Sequence, residues 1–385
     1  MTKVEKRIAD FVMNHLDVIA IIAVTLIGVI IRIPLRGFLS DDADIFLLPW
    51  YEQIQTCGIS EQVGNYNLVY QFAIYVMTKL PIKPLYAYKI LSCIFDLLLA
   101  VVCALVLDTF SREEKRYRTV LVYGAVLISP VVLLNSAAWA QCDSIYVFFG
   151  ICGLYLLLKD RPGWAMFCFG LSLAFKLQAV FFLPALLFIY IMKKNFTALK
   201  FLLIPAGVVA CSLPMLIAGR TVREIVIVYF WQTKENPMMH INYPSLYCLL
   251  DYVPYEGFSE VAILITVVAL GMLFYYIAHQ SKRVGHGDKL DIIIYLFLSA
   301  YTCVLFLPAM HERYGYSYEI LAWILACLIP KTAPLCIGLQ LMTLRTYSQF
   351  LFKSPINLTA LGYMNIVIYF LYVWILLREL KQERR

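Results

Sequence analysis

The chain has 385 residues, 62% hydrophobic and only 15% charged, with a mean hydropathy of +0.77. Soluble domains carry about 45–50% apolar and about 25% charged residues, so the composition excludes a water-soluble globular protein and points to an all-α polytopic membrane protein. The net charge of +7 suits loops facing an anionic leaflet, and no arginine-rich tract with interleaved aromatics marks nucleic acid as a partner. The eleven cysteines are scattered through apolar segments without a CxxC pair, which argues against a zinc site and a disulfide framework.

Apolar segments fall at 18–35, 84–107, 119–137, 144–158, 163–175, 179–192, 199–218, 260–279, 290–308, 316–330, 333–347 and 358–377. A span needs about 20 apolar residues, so the short pair 163–175 and 179–192 is expected to be tilted or partly re-entrant. Segment 66–80 is either a further span or a helix lying in the interface. The first segment has no small-residue cleavage site, and it is read as a retained helix. The expectation is a single transmembrane domain over 1–385 with about 11–13 helices and short interfacial helices in its first external loop.

Basic residues orient such a bundle. Lys3, Lys6 and Arg7, the stretches 111–118, 159–161, 193–200, 281–289 and 378–385, and Lys331 are all placed in the cytoplasm, with the N-terminus. This arrangement requires that 66–80 does not fully cross. The external connections are then 36–65, 139–144, 175–178, 219–259, 308–316 and 348–357. They hold nearly every unusual polar group, and loops 36–65 and 219–259 are expected to build an active-site face.

Asp41, Asp42 and Asp44 follow the first span directly, where charge beside hydrocarbon must be solvated, paired or functional. In WAQCDSIY (139–146), Trp139, Gln141, Asp143 and Ser144 share a tight turn, and Asp143 or Ser144 could simply cap the next helix. Lys176 interrupts two apolar runs that read as one broken helix, so it must snorkel, pair or meet an anion. In PAMHERYGYSYE (308–319), Gly315 stands where a zincin would place its second histidine, so the metal reading fails. Arg313 of this stretch offers a permanently charged fork suited to phosphate. Loop 219–259 mixes Arg220, Arg223, Lys234 and His240 with aromatics, which fits a sugar or anion surface or a generic interfacial helix.

Convergence of these groups would support transfer from a phosphate-linked donor. An aspartate would take the proton of an acceptor hydroxyl, while Lys176, His311 and Arg313 would hold the departing phosphate. A lipid phosphate is the natural anion at this depth, since no Gly-rich phosphate loop for a nucleotide sugar is present.

Four stretches, SDDADIFLLPWY (40–51), NSAAWAQCDSIY (135–146), LAFKLQAVFFLP (173–184) and PAMHERYGY (308–316), supported by GNYNLVY (64–70) and NYPSLY (242–247), carry a family resemblance. The chain resembles the GT-C class of polytopic glycosyltransferases, and within it the bacterial mannosyltransferase-like family related to the enzyme adding the second mannose of GPI anchors. It departs from the family's W-G-Q-x-D-S pattern at Ala140, and from the N-Y-N-x-P pattern at its proline, which is Leu68 or Val69 here. The resemblance implies a polyprenyl-phosphate sugar donor, a glycan or lipid acceptor, inversion at the anomeric carbon and an essential acid in the first external loop. That acid falls on Asp42, with Asp41 and Asp44 as competitors. Lys176, Gln178, His311 and Arg313 become donor-phosphate candidates. Trp139, Gln141, Asp143, Glu312, Tyr314, Asn242 and Tyr247 become substrate-binding candidates, with Asp143 as the second acid. The pair Asp42 and Asp44 leaves a divalent cation open. The competing classes are a flippase of lipid-linked sugars and a polysaccharide polymerase; bunching of polar groups at one side, rather than at the midplane, favours a transferase.

Overall fold

The computed structural model describes residues 1–110, 117–250, 252–281 and 288–382. The basic stretches 111–116, 282–287 and 383–385 lie outside the described residues. Helices dominate because apolar segments must satisfy their backbone internally in lipid. The helices are α1 (Lys3–Asn14), α2 (Leu16–Leu35), α3 (Leu48–Cys57), α4 (Leu68–Met77), α5 (Pro84–Asp108), α6 (Tyr117–Ile128), α7 (Pro130–Leu133), α8 (Asp143–Leu158) and α9 (Pro162–Phe175). They continue as α10 (Leu183–Lys193), α11 (Leu203–Ile217), α12 (Val222–Lys234), α13 (Ser259–Ser281), α14 (Lys289–Phe306), α15 (Tyr316–Leu328), α16 (Ala333–Phe352) and α17 (Leu358–Gln382). Two π-helical segments, Ala43–Leu47 and Leu134–Ala138, interrupt the regular geometry.

Six helices among the described residues are long and apolar enough to cross a membrane, or seven if the bent pair 117–128 and 130–138 is one span. The other expected spans include shorter apolar helices such as α8, α9 and α15. The architecture is that of an all-α, multi-pass membrane protein. Helix α14 is its axis, with 89% of its apolar window buried, whereas α2 at the rim has 11% buried.

Contacts between loops sort the bundle into two ends. At one end Asp42 meets Trp139, Asp143 meets Lys176 and Arg313, Asn65 meets Glu235, and Asp41 meets Lys353. At the other, Lys193 approaches Asp160, Lys289 donates to the Thr109 carbonyl, and Lys331 pairs with Glu379. The six connections grouped as external thus share one end. Segment 66–80 starts and finishes there as well: Asn67 donates to the Ala174 carbonyl at 3.2 Å, and Tyr51 donates to the Met77 carbonyl at 3.1 Å. Helix α4, with 10 residues, rises only about 15 Å at 1.5 Å per residue, half of what a span requires.

The predicted break after α9 is present. Lys176 is extended, a 3-10 turn covers Leu177–Phe182, and α10 resumes at Leu183. Helices α9 and α11 cross so closely that a Cβ on Gly170 would stand 2.2 Å from the Ile204 carbonyl oxygen. Small residues at such crossings give membrane helices their packing. Gly170→Ala is therefore expected to cost at least about 1–3 kcal/mol, read as a lower melting temperature in detergent; an unchanged melting temperature would show that the crossing can open freely.

Candidate active site

Asp42 ends the descent of the chain from α2 and immediately precedes the π segment Ala43–Leu47. Its Oδ2 accepts from Trp139 Nε1 at 2.8 Å and from Gln141 Nε2 at 3.0 Å. Both donors come from one turn. The π segment Leu134–Ala138 delivers Trp139, Ala140 reverses the backbone at φ +65°, and α8 begins at Asp143. The turn and the first loop are tied directly as well, since Ser40 Oγ donates to the Trp139 carbonyl at 3.2 Å and accepts from the Ala43 amide. Trp139 is fixed by stacking on Phe350 at 4.4 Å and by the edge of Tyr347 at 5.1 Å.

Asp143 lies on the same turn but in a different electrostatic state. It is fully buried; its Oδ1 pairs with Lys176 Nζ, and its Oδ2 accepts from Asn135 Nδ2 at 2.9 Å. Arg313 Nε stands 3.8 Å from Oδ2. The carboxylate therefore answers Lys176 and Asn135, and does not cap α8. Removing one partner of such a buried pair costs about 3–5 kcal/mol. Lys176 and Arg313 consequently lie on the same side, gathered by one carboxylate. Arg313 also has Glu312 Oε1 at 3.6 Å from its Nη1, and its Nε is buried without a hydrogen-bond partner among the described residues. The Arg313 guanidinium also lies 5.7 Å over the Trp139 ring and 5.8 Å over that of Tyr314.

Glu312 and His311 flank this arginine. Burial, partly offset by Arg313, pushes the Glu312 carboxyl up to about 7, with Asp42 and Asp143 adding to the rise. Burial, helped by Arg313 and Lys176, lowers His311 to about 3. His311 is therefore neutral at physiological pH, and its ring is a hydrogen-bonding group without a positive charge. Burial raises the Tyr314 hydroxyl to about 12, so it stays protonated, and Gln178 faces it.

Other sequence-predicted residues are not part of this cluster. The Asp41 carboxylate pairs with Lys353 at the exposed surface, and Asp44 is exposed. Asp42 and Asp44 do not fit a shared divalent ion, because Asp42 is turned to Trp139 and Gln141 while Asp44 faces outward; among the described residues no group of three His, Cys, Asp or Glu is placed to hold a metal. Tyr247 donates to the Phe306 carbonyl at 2.7 Å, so its hydroxyl anchors the loop. Asn242, at φ +58°, bridges His311 through the backbone, beside the short parallel pairing of His240–Ile241 with Met310–His311. Loop 219–259 thus supports the HER segment through main-chain bonds. Arg220, far from awaiting an anion, is bound by Glu224, Gln62 and the Ile59 carbonyl.

Sequence reasoning missed the residues behind the site: Asn135, which holds Asp143, and Lys89 and Asp96, buried charges within α5. Their signal was available, since a charge inside an apolar span marks a pairing or a function.

Together these features define a multi-pass helical membrane protein with a buried, mixed-charge site at one end and two carboxylates in unlike surroundings. The model of Glycosyltransferase family 87 matches residues 66–284, more than half the chain, from α4 through α13. The protein belongs to that family and is a membrane glycosyltransferase. No curated protein matches the chain.

Two outcomes follow from the geometry. Glu312, raised in the folded state, contributes stability that is full below 4.5 and is lost as pH rises through about 7. His311, lowered, contributes stability that is present above 6.5 and is lost as pH falls towards about 3. Between 4.5 and 6.5 the two slopes oppose each other, each worth up to about 1.4 kcal/mol per pH unit. Relative to the parent, Glu312→Gln should make detergent melting temperatures climb with pH across that window, and His311→Gln should make them fall. Parallel profiles for all three proteins would refute the assignment. Ala140 occupies the left-handed region at φ +65°, where a Cβ costs about 1–2 kcal/mol. Ala140→Gly should therefore raise stability by about 1 kcal/mol, measured by the same melts.

Proposed function

We propose that this glycosyltransferase is a GT-C-type, inverting enzyme that moves a hexose, mannose-like, from a polyprenyl-phosphate donor to a glycan or lipid acceptor on the extracytoplasmic side of the cell membrane. The N-terminus is then cytoplasmic, and loops 36–65 and 219–259 face outward as part of a single domain. The observation that carries the reading is the contrast between the two carboxylates. Asp42 is oriented by two neutral donors, with both bonds on Oδ2, and makes no direct ion pair among the described residues; Asp143 is paired directly with Lys176. Two acids in unlike surroundings take unlike roles. Asp42 is the general base, and Asp143 with Lys176 organises the phosphate end.

In the transfer, the acceptor oxygen attacks the anomeric carbon, its proton passes to Asp42, and the bond from that carbon to the phosphate oxygen breaks. The electron pair leaves with polyprenyl phosphate, inverting the anomeric centre. Arg313, whose Nε makes no hydrogen bond among the described residues, supplies the charge-assisted fork for the leaving phosphate. Gln178, Tyr314 and neutral His311 supply hydrogen bonds around it, and the fully buried Trp139 acts through its bond to Asp42. Glu312, close to half-protonated near neutral pH, adjusts the local charge as the phosphate gains one.

Purified protein in detergent, offered radiolabelled polyprenyl-phosphate mannose, glucose and galactose separately with an envelope acceptor fraction, tests this reading. Release of polyprenyl phosphate with label on the acceptor is the expected result. Asp42→Asn should lower turnover by about 10²–10⁴-fold with donor binding retained, and residual activity above a tenth would remove Asp42 from the role of base. Binding without transfer for any donor would favour a flippase.

A further inference from the structure

Helix α5 carries Lys89, Ser92 and Asp96 at spacings of three and four residues, hence on one face. Lys89 is 4% exposed, and its ammonium donates to the carbonyls of Leu35 at 2.8 Å, Arg36 at 3.3 Å and Phe38 at 2.6 Å. The Leu35 and Arg36 carbonyls close α2, where the helix dipole concentrates negative potential, and that of Phe38 lies just beyond its cap. The neighbouring Tyr88 donates to the Leu47 carbonyl at 3.0 Å. Consecutive residues of α5 therefore grip the chain before and after Asp42. Two turns further on, Asp96 accepts from Arg32 at 2.7 Å and from Ser136 Oγ at 2.5 Å. Ser136 sits inside the π segment that ends at Trp139.

A buried charged pair is weak evidence for stability, since apolar replacements often serve as well. What Lys89 and Asp96 supply, and apolar side chains would not, is direction: each fixes a short stretch of backbone that leads to one half of the Asp42–Trp139–Gln141 unit. We infer that Lys89 and Asp96 are positioning residues that set the register between Asp42 and its two donors, making α5 the frame of the acceptor-activating group. The inference rests on the reading of Asp42 as the base. A misplacement of about 1 Å at such a unit costs about 10² in rate, whereas the phosphate end, built on Asp143, Lys176 and Arg313, is held by other contacts.

The test compares Lys89→Met, Lys89→Arg, Ser136→Ala and Asp42→Asn in the transfer assay, with melting temperature as the folding control. Lys89→Met and Ser136→Ala should each lower kcat by about 10-fold or more while donor KM moves less than about threefold. Lys89→Arg should restore most of the lost kcat. Ser136→Ala deletes a single hydroxyl and keeps the test open if Lys89→Met does not fold. Folded variants with unchanged kcat, beside an inactive Asp42→Asn, would overturn the positioning role alone. An active Asp42→Asn would instead overturn the reading on which it rests.

Discussion

The bond pair from Trp139 and Gln141 to Asp42 is the constraint on which the rest of the site depends. A carboxylate at a membrane boundary can be stabilised by a cation, which consumes its basicity, or by neutral donors, which orient it and leave the charge available. Asp42 takes its hydrogen bonds from neutral donors, and the Arg313 charge acts on it without a direct ion pair. Its donors are separated from it by about a hundred residues of chain, so the arrangement exists only because two interruptions of helical geometry meet. One is the π segment that follows Asp42, and the other is the π segment that precedes Trp139. Such departures from the regular helix are frequent where function needs a side chain re-aimed.

The surrounding backbone carries strain in keeping with this. Ala140, Asn242 and Ala309 all adopt positive φ without being glycine. The first reverses the turn bearing Gln141, and the other two flank the pairing that presents His311. Conformations of this kind persist only where surrounding contacts overdetermine them. Those contacts are visible: the Tyr243 and Tyr318 hydroxyls lie 2.6 Å apart, Asn365 donates to the Pro244 carbonyl at 2.8 Å, and the Ala309 amide donates to the Met239 carbonyl at 3.0 Å. The NYPSLY stretch therefore anchors the loop.

Much of this was legible in the sequence, and the remainder was hidden for identifiable reasons. Composition and segment lengths carried the fold class, and the break at Lys176 was readable because a lone cation between two apolar runs has few physical outcomes. Its actual outcome, pairing with Asp143, depended on the folding back of α9 against α8, which no local pattern encodes. Asp42 could not be separated from Asp41 and Asp44 by sequence, because three adjacent carboxylates differ only in which way the π segment turns them. His311 read as a cation because burial, which removes its charge, is a tertiary property. The charges of α5 were overlooked because hydropathy averages them away, although a buried lysine and aspartate two turns apart were the clearest sign that this span does more than cross.

Electrostatics and topology specify one another in this molecule. Three buried charges near the site are answered from distant elements: Asp143 on α8 by Lys176 beyond α9, Asp96 on α5 by Arg32 on α2, and Lys89 on α5 by the carbonyls at the end of α2. An apolar bundle alone tolerates sliding and rotation of its helices, because one aliphatic contact replaces another at little cost. A buried ion pair does not, since a displaced partner leaves an unpaired charge. The polar contacts thus select one register among the many that hydrophobic packing would accept. In that register the two π segments are in reach of each other, and Asp42 receives both of its donors.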